Sequence, residues 1–233
     1  MPAIALPMKT LHITAMAVPL AGWTLHTTVL RRRLVRAQHD LVRAQHDLVR
    51  AQHDPLTGTW RREAFTARAR RIIERHPDQT LLVLADADHF KRLNDHHGHA
   101  AGDTALAAIG RRLTEWAGPT GVAGRLGGDE FAALARIEPR HQELRLDHLA
   151  RLMARPVPYA DGTLPLAVSV GAATPAAIGS GDLPALMRAA DTAMYEGKHT
   201  GLVVQAGPVH ADTPSVNGRR SGRPGTAVRG RPA

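Results

Sequence analysis

The chain predicts an α/β fold: a mixed central sheet flanked by helices, preceded by a helical N-terminal segment. Three observations predict it. Short apolar runs suited to buried strands alternate with helix-length segments between residues 55 and 205. Two of those runs flank the glycine pair Gly127-Gly128, so they read as a hairpin. A seven-residue sequence recurs three times over residues 34–54, just ahead of that region. Alternating strands and helices bury their apolar faces by packing helices over a sheet.

The elements follow in order. Residues 11–30 are mostly apolar, enclose Pro19 and run into Arg31-Arg32-Arg33. Twenty helical residues span about 30 Å, enough for a bilayer core. The arginines would mark the cytoplasmic side. Residues 1–33 therefore read as a membrane anchor with a basic flank. This gives a single-pass protein of an inner or plasma membrane, with its domain in the cytoplasm. His12, His26 and several threonines lower the hydrophobicity. A peripheral helix on a cytoplasmic protein and a cleaved signal peptide stay open as alternatives.

Leu-Val-Arg-Ala-Gln-His-Asp then repeats to residue 54. Leu34, Ala37, Leu41, Ala44, Leu48 and Ala51 alternate three and four apart, as in a heptad seam. Three heptads are short and alanine buries little area, so pairing through them would be weak alone. The expectation is a coiled-coil linker that joins a homodimer. A single solvated helix is the alternative. Pro55 sets the boundary with the domain at 55–205.

Within that domain the pattern predicts helix (about 59–76), strand (80–86), helix (about 100–116) and strand (121–126). After the hairpin come strand (130–136), helix (141–154), strand (164–172), helix (183–197) and strand (201–205). Residues 206–233 are rich in Gly, Pro, Ser and Arg and predict a disordered basic tail.

Composition narrows the function classes. The 233 residues contain no cysteine, which excludes disulfides and cysteine-ligated zinc. The net charge is +9, a value that invites nucleic acid. Residues 55–205 hold 18 Lys+Arg and 17 Asp+Glu, however, so the excess lies in the flanks. Aromatic residues make up 3% of the chain, too few for stacking platforms, and no specific nucleic-acid partner is expected.

The chemistry concentrates in two segments. Arg125-Leu-Gly-Gly-Asp-Glu-Phe131 runs two glycines into two carboxylates. Gly127 and Gly128 permit a tight turn and close approach of a ligand to the backbone. Asp129 and Glu130 at the hairpin tip suit a divalent cation that bridges to phosphate. The second segment starts at Asp86, where the strand 80–86 ends. There the carboxylate should project into solvent at the sheet edge. Residues 86–95 read as one short turn that carries Asp86, Asp88, Lys91, Arg92, Asn94 and Asp95. Acids suit a metal, lysine and arginine suit phosphate, and an amide with a carboxylate suits a base edge. Asp88 reads equally as a helix cap and as a metal ligand. His96, His97 and His99 match no regular zinc spacing.

Asp86-Ala-Asp-His-Phe-Lys-Arg-Leu-Asn-Asp95, Gly98-His99, Gly102-Asp103 and Arg125–Phe131 together closely resemble the GGDEF family of diguanylate cyclases. Asp54-Pro-Leu-Thr-Gly58 with Arg61, Arg62 and Phe65 resembles its opening motif. Ser169-Val-Gly171 and Ala190-Asp191 through Tyr195 and Lys198 resemble its later ones. Five motifs in order make coincidence remote. The resemblance implies a palm-like nucleotide cyclase fold and condensation of two GTP into cyclic di-GMP with loss of two pyrophosphates. It implies Mg²⁺ or Mn²⁺ on Asp86, Asp129 and the carbonyl of Ala87. It assigns Asp129 as general base, with Glu130 as an adjacent essential acid. It places Asn94 and Asp103 on the guanine edge, with Phe90 and His99 at the same pocket. Lys91 and Lys198 become phosphate cations, and Gly127 and Gly128 the turn over the phosphates. A catalytically silent nucleotide receptor of the same fold is the alternative. Two departures stand out. Leu202 and Val203 follow Gly201, where the family usually has Arg and Asn. Gly118-Pro-Thr-Gly121 occupies the stretch of the family's Arg-x-x-Asp product-inhibition site.

Overall fold

The computed structural model describes residues 31–43, 47, 49–200 and 203–211. The apolar stretch 11–30, the seam residues Ala44 and Leu48, Leu202 and most of the basic tail lie outside the described residues. Among those described, no helix is long and apolar enough to cross a membrane. The chain divides into two units, residues 1–51 and 52–233. In the first, residues 31–43 and 49–51 are helical and their side chains are exposed. Leu34 and Leu41 are 66% and 60% exposed, and Val35, Val42 and Val49 are exposed beside them.

The second unit holds a six-stranded sheet and its helices. In chain order these are β1 (Trp60–Arg61), α1 (Arg62–Arg75), β2 (Thr80–Ala87), α2 (Phe90–His97), α3 (His99–Ala117), β3 (Val122–Gly127) and β4 (Glu130–Arg136). There follow α4 (Gln142–Met153), β5 (Val157–Tyr159), β6 (Gly162–Leu164), β7 (Val168–Ala173), α5 (Pro175–Ile178), α6 (Leu183–Thr200), β8 (Val204–Gln205) and α7 (Pro208–Ala211). The sheet order is β1-β3-β4-β2-β7-β8. Its outer pairs are parallel and its inner three antiparallel, so the sheet is mixed as the sequence predicts.

β2 is buried on both faces because it is central, and its side chains alternate between two cores. Leu81, Val83 and Ala85 meet Ile109, Leu113 and Trp116 of α3 and Leu149 and Leu152 of α4. Leu82 and Leu84 meet Phe65 and Ile73 of α1 and Leu186 and Met194 of α6. Each fully buried leucine or phenylalanine contributes roughly 1.5–3 kcal/mol.

Three local expectations change. The first helix begins at Arg62, because Trp60 and Arg61 pair with Gly124 and Arg125 as an edge strand. The segment after Asp86 contains α2, although only Leu93 of it is buried. Residues 162–164 do not extend the strand at 168–173. They pair with 157–159 as a separate hairpin, whose Val157 and Leu164 cover Leu93, Ala101 and Ala105.

Candidate active site

The acids gather where β2 meets β4 and β7. Asp86 stands opposite Glu130 on one side and Ser169 on the other. The sequence predicts that Asp86 projects into solvent; instead it is buried, because β2 has a strand on each side. A carboxylate in such a place needs a partner. Lys198, near the end of α6, donates to Asp86 Oδ1 at 2.7 Å. The same Nζ is 4.0 Å from Asp88 Oδ1.

Asp88 is not the cap of α2. That position is His89, at φ 54°, with no side-chain cap bond. The Asp88 carboxylate instead accepts from Ser169 Oγ, 2.8 Å from each of its oxygens. Its backbone N–H donates to Ala167 O at 2.9 Å. Lys198 is thus neither simply solvated nor free to turn outward at no cost.

The β3–β4 turn closes over this end. Ala87 N–H donates to Asp129 O at 3.3 Å, tying the turn to β2. Gly128 has φ 44°, a conformation that favours glycine. Arg125 holds the turn: its Nε and Nη2 donate to Gly128 O at 2.9 and 2.7 Å, and its Nη1 reaches Asp54 at 3.1 Å. Burial pushes the Asp54 carboxyl up, but hydrogen bonds from Thr57 and Arg125 outweigh it and hold it below the usual carboxylate range. Arg62 donates to Leu126 O at 2.9 Å and lies 3.8 Å from Glu130. Ser169 as the holder of Asp88, and Arg62 and Arg125 as props of the turn, escape sequence reasoning. Asp88 for Ser169, Leu126 for Arg62 and Asp54 for Arg125 lie 64 to 81 residues away and leave no periodic signal.

The residues assigned to the base lie on α2 and the first turns of α3. Phe90, Lys91 and Asn94 come from α2, and His99 and Asp103 from α3, with Gly98 at φ 83° between the helices. Gly102 lets the Asn94 side chain lie close against α3. A Cβ there would fall 1.9 Å from Asn94 Oδ1 and 3.0 Å from Phe90 Cζ. Asn94 is thereby set beside the residue that precedes Asp103. Lys91, His99 and Asp103 are exposed, as a ligand-facing set requires.

The donor set fits a hard divalent cation: two carboxylates and a backbone carbonyl, all oxygen. Among the described residues no three His, Cys, Asp or Glu side chains form a ready metal cage. A metal here would therefore complete its shell with substrate oxygens and water, which suits Mg²⁺. A cavity of about 560 Å³ lies elsewhere, at the other end of β4, and is lined by Arg136, Glu138, His141, Arg145, His148 and Arg151. It shares no residue with the acids.

A mixed sheet flanked by helices, as here, is the fold of solved GGDEF domains. The chain belongs to the GGDEF family. The family model described as "Diguanylate cyclase, GGDEF domain" matches residues 51–202. An uncharacterized 19.3 kDa protein from Streptomyces ambofaciens is 45% identical over 184 residues, 79% of this chain and 91% of that one. Diguanylate cyclase TpbB of Pseudomonas aeruginosa is 36% identical over 146 residues, 58% of this chain but 32% of TpbB. The chain therefore spans about a third of that relative's length. Among solved structures, the coiled coil and GGDEF domain of DgcB from Caulobacter crescentus, in complex with c-di-GMP, aligns at TM-score 0.61. That alignment has 27% identity and covers 76% of this chain and 99% of DgcB's.

Proposed function

We propose that the chain is an active diguanylate cyclase, condensing two GTP into cyclic di-GMP and two pyrophosphates. One observation carries the reading: Asp86 and the Gly-Gly-Asp-Glu turn, 41 residues apart at Gly127, are brought to one place by the Asp86–Glu130 register. Asp86, Asp129 and the Ala87 carbonyl would hold Mg²⁺ or Mn²⁺. When bound, such a cation neutralises phosphate charge and lowers the pKa of the attacking 3′-hydroxyl. Asp129 accepts the proton from that hydroxyl as it attacks the α-phosphorus of the other GTP, and pyrophosphate leaves. Glu130 supplies a second negative group beside it. Gly127 and Gly128 let the turn lie against the phosphates, while Lys91 and Lys198 bind their oxygens. Asp103 accepts from the guanine N1–H and N2–H and Asn94 bonds the same edge through its amide, with Phe90 and His99 flanking. Purified full chain incubated with GTP and Mg²⁺ should yield cyclic di-GMP by chromatography and mass. Bound GTP that is returned unchanged would point to a silent receptor.

The product needs two nucleotides, and each site holds one, so the working unit is a homodimer. The exposed Leu34 and Leu41 stripe supports pairing through the heptads. Leu41→Asp with Leu48→Asp should shift sedimentation toward monomer and make specific activity rise with protein concentration, because buried charge is costly at a seam. Equal dimer content in the variant would reduce the heptads to a linker. The anchor reading of residues 11–30 has no support among the described residues, where no helix suits a bilayer.

A further inference from the structure

Lys198 serves two roles in the site as read so far: a phosphate cation, and the partner of a carboxylate assigned to metal. These roles compete. Its ammonium sits 2.7 Å from Asp86 Oδ1 and 4.0 Å from Asp88 Oδ1. A divalent ion coordinates carboxylate oxygen at about 2.1–2.5 Å. An ion and an ammonium sharing Asp86 would lie close together, where like charges repel strongly. One must leave.

We propose that Lys198 is an internal counter-ion that keeps Asp86 closed to metal until nucleotide arrives, and that Asp88 and Ser169 position it rather than ligate metal. The inference rests on the metal-dependent reading above. Three features support it. Both Asp88 oxygens are engaged by Ser169 Oγ at 2.8 Å, so Asp88 is fixed as the second pole for the ammonium. The backbone of α6 is locked to β7: a Cβ at Gly171 would fall 2.0 Å from Ala190 O and 2.4 Å from Met194 N. The lysine side chain, 31% exposed, has an open side toward which to swing. The triphosphate supplies the anion to which it swings. Without nucleotide, a metal must displace the ammonium with no better partner on offer. Metal and nucleotide should therefore bind with positive coupling, each strengthening the other.

The test is Mn²⁺ titration of the full chain without nucleotide, read from the free-ion electron paramagnetic resonance signal. Lys198→Met should tighten Mn²⁺ binding by at least about fivefold, the scale of one partly exposed ion pair. Adding Asp86→Asn to that variant should erase the gain, which ties it to this carboxylate. Ser169→Ala should give a smaller gain in the same direction. In turnover, Lys198→Met should raise the KM for GTP. Lys198→Gln repeats the titration should the methionine variant melt early. Unchanged or weaker Mn²⁺ binding in both Lys198 variants overturns the proposal, as does a gain that survives Asp86→Asn. A gain with the expected dependence, in a chain that makes no cyclic di-GMP, would leave the counter-ion standing and remove the assigned activity instead.

Discussion

Two glycine-bearing segments bracket β3, and they use glycine for opposite reasons. At Gly128 a Cβ would meet nothing within 4 Å, and the residue is there for its φ of 44°. At Gly121 a Cβ would fall 2.4 Å from the carbonyl oxygens of both Ala117 and Leu134. The first glycine sets the path of the turn. The second lets the end of α3 pass tightly against β4. The family's product-inhibition site would need side chains at Gly118 and Gly121, and at Gly121 the backbone leaves no room for one. The difference teaches that glycine is needed for its backbone angle in one segment and for its missing side chain in the other.

The largest expected effect falls on the first segment, at the turn. Asp129→Asn should lower the rate of cyclic di-GMP formation by at least about a hundredfold, as for loss of a charge-stabilising group. Near-normal synthesis would remove Asp129 from the mechanism.

Next comes base selection. Asp103→Ala should narrow the preference for GTP over ATP by about 1–3 kcal/mol, since a charge-assisted pair to guanine is lost. Competition binding with both nucleotides reads this, and unchanged discrimination would place the base elsewhere.

A smaller pair of effects contrasts the two glycines. Gly121→Asp forces side-chain atoms into the backbone of α3 and β4 and should cost about 1–3 kcal/mol by denaturant unfolding. Gly128→Ala has space and should cost about 1–2 kcal/mol through its left-handed backbone alone. Activity should rank the other way, with the turn variant losing more turnover than stability. Equal losses of both quantities in the two variants would erase the contrast.

How much of this was legible in the sequence depends on distance along the chain. β4 is found where its apolar run predicts, because both ends are marked, by the glycine turn and by Arg136. The hairpin follows from Gly127-Gly128 alone. α2 is hidden because it is eight residues long and carries only two apolar side chains, Phe90 and Leu93. β5 and β6 are hidden because each is three residues long and packs on α3 instead of joining the sheet. The Lys198–Asp86 bond joins residues 112 apart. No local pattern encodes such a pair. Only the packing of α6 against β7 brings it about.

One measurement reads both sides of the comparison: the initial rate of cyclic di-GMP formation by the purified full chain with GTP and Mg²⁺, as added cyclic di-GMP rises into the micromolar range. A measurable rate that stays nearly flat is expected, because the Gly-Gly-Asp-Glu turn is present while Gly118 and Gly121 offer no guanidinium or carboxylate. Arg136, Arg145 and Arg151 line a separate cavity with Glu138 and should add only weak residual binding. No product at any concentration would contradict the catalytic role of the turn. A rate that collapses at low micromolar product would contradict the absence of a product-inhibition site at Gly118 and Gly121.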